Sequence, residues 1–134
     1  MFMDSKTLKK KAPEEIDRRA DEIVEYATAI WKYPELGFKE FKTAELTEKK
    51  YEAAGWRFEK GIAITGSKAY LKSDGSRPAI GIVGELDALH IPVHPEAHPA
   101  TGNVHACGHH SQMAAMLGVG YGLDAVKEHL DGEV

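Results

Sequence analysis

The stretch "AIGIVGELDALH" occupies residues 79–90. Its first part, "AIGIVG" at 79–84, is a continuous apolar run bounded by Pro78 and Gly84. That pattern predicts a strand buried on both faces, as in a sheet covered by helices. Glu85 and Asp87 follow at the end of the run, two residues apart and so on one face of an extended chain. Open α/β sheets form their sites beyond the carboxyl ends of strands. The reading therefore puts two carboxylates on a functional rim.

Working outward supports an α/β architecture. On the amino-terminal side, "KAYLK" at 68–72 alternates like a strand, and "SDGS" at 73–76 is a turn signal. Ile16, Ala20, Ile23, Val24, Ala27, Ile30 and Trp31 recur at helical spacing. They predict a first helix with Pro13 in its first turn, ended by Pro34. A second helix is expected from Lys39 to Ala54, stopped by Gly55. On the carboxyl side, a polar loop with prolines runs from His90 to Asn103. A third helix is expected from about His110, turning Met113, Met116, Leu117, Tyr121 and Val126 inward. Its Gly118, Gly120 and Gly122 either fray it or let it pack closely on a sheet. "DGEV" at 131–134 reads as a turn entering a further strand.

Composition narrows the function classes. The chain has 134 residues, 43% hydrophobic and 28% charged, enough for one domain or part of one. The net charge is −4, with no basic run beyond Lys9, Lys10 and Lys11, which argues against nucleic acid or an anionic membrane surface as partner. No apolar run is long enough to span a bilayer, and no secretory signal stands at the N-terminus. With a single cysteine, Cys107, no internal disulfide can form, and the expected compartment is the cytoplasm.

The histidines carry the chemistry. Of 7 in the chain, all but His129 fall between His90 and His110. His90, His94 and His98 are spaced like one helical face, but Pro92, Pro95 and Pro99 rule a helix out there, so that spacing is no ligand pattern. Cys107 and His109, separated by Gly108, can converge on one ion, and thiolate and imidazole are ligand types for zinc and its neighbours. The residues leave two readings open: a metal centre, or a buried inert cysteine beside surface histidines. Asp87 would orient a ligating histidine or ligate directly.

Three segments together resemble one family. "YPELGFKE" (33–40) with Thr43, "GELDALH" (84–90) and "HACGHHSQMAAMLG" (105–118) are similar, in order, to the "HPELGFEE", "DMDALP" and "HACGHDxHxAMLLG" segments of the M20 metallopeptidases and amidohydrolases. The branch is the cysteine-containing one of aminoacylase-like, hippurate-hydrolase-like and aminobenzoyl-glutamate-hydrolase-like proteins. The resemblance implies a hydrolase of N-acyl amino acids, aminobenzoyl-glutamate or dipeptide-like amides. It implies a divalent metal centre, two ions per full-length subunit, of zinc, manganese or cobalt. By motif match, Cys107 and His109 would be metal ligands and Asp87 the residue that orients the centre. Glu85, His90, His110 and Gln112 stand where the family pattern has Asp, Pro, Asp and His.

Residues 1–134 then correspond to the N-terminal portion of a zinc-peptidase-like catalytic domain. The dimerisation domain, the other half of the catalytic domain and the general-base glutamate are expected outside them. Alone, such a segment is expected to be inactive and to self-associate through its open sheet. The alternatives are a non-catalytic metal-binding or interaction module on the same fold, and a structural zinc protein using Cys107, His109 and the loop histidines.

Overall fold

The computed structural model describes residues 3–134. Helix α1 spans Ser5–Arg18, α2 Ala20–Trp31, α3 Phe41–Ala53 and α4 His109–Asp124. Strands β1 (Arg57–Ile62) and β2 (Gly66–Tyr70) form an antiparallel hairpin, and β3 (Leu89–His90) pairs antiparallel with β4 (Asn103–Val104). The fold is mixed α/β. No helix among the described residues is long and apolar enough to cross a membrane.

The first predicted helix is two helices. Asp4 accepts a hydrogen bond from the Thr7 amide at 2.9 Å and starts α1 well before Pro13, which lies inside the helix. The chain breaks at Arg19, with φ −103° and ψ 12°. The Arg19 guanidinium bridges Glu15 at 2.7 Å and Glu22 at 3.1 Å and lies 4.2 Å from the Tyr121 ring centre, which ties the joint to α4. Helix α3 runs close to its expected bounds. Glu35 caps it by accepting from the amide and hydroxyl of Thr43 at 2.8 and 2.9 Å.

The core lies where α2, α3 and α4 meet. Tyr26, Ile30, Tyr51, Trp56, Met113 and Leu117 are buried there, and the Tyr26 and Thr47 hydroxyls bond at 2.6 Å. The α4 glycines permit close approach to helices and to an indole. A β-carbon on Gly118 would meet Ile23 at 3.3 Å. One on Gly122 would meet the Ala12 carbonyl at 3.0 Å, and one on Gly120 would meet Trp56 at 2.7 Å.

The run at 79–84 departs from its reading. It is neither a ladder strand nor buried: Ile80 is 56% exposed and Val83 81%. Among the described residues, its one strand-like link is a parallel bridge from Ala79 to Glu133. A strand is buried on both faces only when layers cover it, and here α4 covers one side alone. The expected strand at "DGEV" is present as that single bridge. The strand expected at 68–72 is β2, shifted to 66–70.

Candidate metal-linked site

The three motif segments meet in space. Leu36 bridges Ala88, whose amide donates to the Glu35 carbonyl at 2.7 Å. The Asn103 side chain donates to the Pro34 carbonyl at 3.0 Å. Asp87 then reaches the first residue of α4. His109 Nδ1 lies 2.9 Å from Asp87 Oδ1 and 3.0 Å from the Asp87 carbonyl. With both acceptors on that nitrogen, Nδ1 carries the proton and donates. A carboxylate on one ring nitrogen is the partner that orients a ligating imidazole.

Nε2 faces a second carboxylate, Glu85 Oε2, at 3.2 Å. A lone pair and a carboxylate oxygen repel each other unless a cation or proton lies between them. The pair is held in place by Gln112. Its carbonyl accepts from the Glu85 amide at 2.6 Å, and its amide donates to Glu85 Oε2 at 3.2 Å. Two departures from the family motif, Glu85 and Gln112, thus contact each other. The longer acid and the amide form one unit beside His109. Sequence reading put Glu85 on the functional rim but gave neither residue a role in the site. A signal existed, because His109 and Gln112 are three apart at the start of a helix and share a face.

Gly108 makes the turn that delivers His109. It is left-handed, φ 80°, immediately before α4. Cys107 precedes it with an exposed side chain and no disulfide. Among the described residues, no three His, Cys, Asp or Glu side chains converge closely enough to hold a metal ion. The donor types suit a divalent cation, but these residues alone do not complete a set. No chemical step can be derived through an ion from this chain by itself.

The other histidines divide by position. His94 Nδ1 accepts from the Glu96 amide and His98 Nδ1 from the Ala100 amide, each inside its own turn. His90 Nδ1 pairs with Asn103 Oδ1 at 3.1 Å across the short β3–β4 ladder. These three shape the loop. His105 is buried, 5.4 Å from the His110 ring, and neither of its nitrogens has a hydrogen-bond partner among the described residues. Burial, reinforced by His110 and His109, pushes its pKa down to about 4, so it is neutral near pH 7. Burial also lowers His110.

The hydrolytic class that the motifs imply is matched by known proteins. No family model matches the chain. Individual relatives do. An IAA-amino acid hydrolase of Arabidopsis thaliana (ILR1-like 2) is 32% identical over 92% of this chain and 28% of its own length. The N-acetyl-L-cysteine deacetylase of Bacillus subtilis is 29% identical over 96% of this chain and 32% of its own. Thermostable carboxypeptidase 1 of Saccharolobus solfataricus is 28% identical over 95% of this chain and 33% of its own. The chain is a homologue of amide hydrolases across nearly its whole length, as expected of a segment of an M20-family amidohydrolase. It spans about a third of the length of the curated relatives it matches.

Proposed function

We propose that this chain carries part of the centre of a metal-dependent amide hydrolase that acts on small N-acyl amino acids or dipeptide-like amides. The observation that carries the reading is the Asp87–His109 contact at 2.9 Å, which holds the imidazole by Nδ1 and turns Nε2 toward Glu85. In this reading Cys107 and His109 are ligands, and Asp87 holds the imidazole in its ligating tautomer. Glu85, fixed by Gln112, sets the charge on the far side of Nε2. A bound divalent cation, zinc, manganese or cobalt, supplies Lewis acidity toward the amide carbonyl and the attacking water. The remaining ligands and the general base come from outside these residues, so the 134-residue chain alone does not turn over substrate. The single unpaired thiol suits a reducing compartment, the cytoplasm.

The test is a chimera. The segment of the Bacillus subtilis deacetylase that aligns with this chain is replaced by it, and amine release from N-acetyl-L-cysteine is measured with each metal. Metal-dependent release is expected, abolished by Cys107→Ser or His109→Ala and lowered about 10- to 100-fold in metal affinity by Asp87→Asn. A folded chimera whose turnover is indifferent to Cys107→Ser and His109→Ala would overturn the reading. A folded chimera that binds metal through these residues without any turnover would favour the non-catalytic module. That alternative draws on the lack of a three-donor cluster among the described residues.

A further inference from the structure

Glu85 is exposed, yet it is held at both ends. The Gln112 side chain closes on it. Its oxygen accepts from the Glu85 backbone amide at 2.6 Å, and its nitrogen donates to Glu85 Oε2 at 3.2 Å. A glutamate in solvent ordinarily keeps its rotamer freedom, and fixing one costs conformational entropy. Here the fixed oxygen has a target. Oε2 lies 3.2 Å from His109 Nε2, the ring nitrogen that Asp87 does not hold.

The separation itself is informative. A charge-assisted N–H···O bond is about 2.7–2.9 Å long. The Asp87 contact has that length, 2.9 Å, and the Glu85 contact does not. Two donors on one divalent ion, each about 2.1 Å from it, stand about 3.0 Å apart at a right angle and about 3.4 Å apart at the tetrahedral angle. The observed 3.2 Å falls between those limits. Charge points the same way. Two carboxylates, Glu85 and Asp87, flank one imidazole. Among the described residues, no lysine or arginine pairs with either of them. The surplus negative charge suits a divalent cation.

We propose that Glu85 is itself a metal ligand, chelating a divalent cation together with His109 Nε2, and that Gln112 is its positioning residue. The inference rests on the metal reading of Cys107 and His109 and adds an oxygen donor to it. Glu85 and Gln112 both stand where the family pattern has another residue. An aspartate at position 85 is one methylene shorter and would leave its carboxylate short of the place that Oε2 occupies. The amide of Gln112 grips the longer acid by backbone and side chain at once, so the oxygen is in place before the cation arrives. This part of the site is thus a feature of this chain's own residues.

The test is a calorimetric zinc titration of the 134-residue chain and its variants at one pH. Glu85→Gln keeps the shape of the side chain and removes its charge. Glu85→Asp keeps the charge and draws it back. Each is expected to weaken zinc binding at least about tenfold, and Gln112→Ala about tenfold. Both positions are exposed, so melting temperatures should stay the same while affinity falls. If Glu85 instead holds a protonated His109, Glu85→Gln removes a competitor of the metal. Zinc would then bind more tightly, and the proposal would be overturned. It would also be overturned if Glu85→Asp bound zinc as the unaltered chain does, because Glu85 would then act through its charge alone. His109→Ala separates the two levels of the argument. Zinc binding lost in His109→Ala but intact in Glu85→Gln would remove Glu85 from the ligands and leave the metal reading standing. Zinc binding that is absent, or indifferent to both His109→Ala and Cys107→Ser, would overturn both.

Discussion

Helix α4 and the run 79–84 are both apolar, yet one is packed and the other is not. On α4, Met113 and Leu117 are each 2% exposed, with α1 and α2 drawn close against Gly118 and Gly122. In the run, Val83 is 81% exposed and Ile80 56%. The difference lies in neighbours. Helix α4 has helices and an indole around it, whereas the run has α4 beneath it and one bridge to Glu133. Apolar composition makes burial favourable, but only a covering element delivers it. The packed half acts as a platform. The rim that carries Glu85 and Asp87 hangs from it through Gln112 and His109, two residues of the first turn of α4.

The sharpest way to break this comparison is to remove side chains on each side of it. Leu117→Ala is expected to cost about 2–5 kcal/mol of unfolding free energy. Val83→Ala is expected to change it by no more than about 0.5 kcal/mol. Equal costs in urea melts would erase the distinction between platform and rim. A smaller effect is expected at the joint between the two. Gly108→Ala forces a β-carbon into a left-handed turn at φ 80° and should cost about 1–2 kcal/mol. The cost should come with a loss of the Asp87–His109 contact, seen as a change in the His109 imidazole NMR signals.

The smallest effect belongs to the outer edge of the platform. Hydrogen bonds from Arg18 and Arg19 hold the Glu15 carboxyl at about 2, below its ordinary 4.5. The folded form therefore binds this proton less readily than the unfolded chain does. The stabilisation is full above pH 4.5 and fades as pH falls through about 2. Melts over that window should show a loss of under about 1 kcal/mol, since the pair is near the surface. Glu15→Gln should remove this component of the pH dependence.

What the sequence revealed follows the same line between local and distant causes. Helix α3 was legible because its stop is local: Gly55 takes φ 72° just past its end. The Asp87–His109 pair lay within the motif residues. Strand β1 was missed because "RFEKGI" neither alternates nor is apolar. Its turn to β2 also hides its signature, since Ala63 and Ile64 take positive φ where glycine or asparagine is usual. The run 79–84 was misread for the opposite reason. Its pattern is that of a buried strand, but burial depends on elements far along the chain. The Glu85–Gln112 unit spans 27 positions, and its local trace is the spacing that puts Gln112 on the same helix face as His109.

The most direct measurement is a cobalt titration of the 134-residue chain, followed by near-ultraviolet absorption. A thiolate-to-cobalt charge-transfer band is expected with the metal in excess. It should be absent in Cys107→Ser and His109→Ala, and should need about 10- to 100-fold more metal in Asp87→Asn. No band, or a band that survives Cys107→Ser and His109→Ala unchanged, would contradict the assignment of these residues to a metal centre.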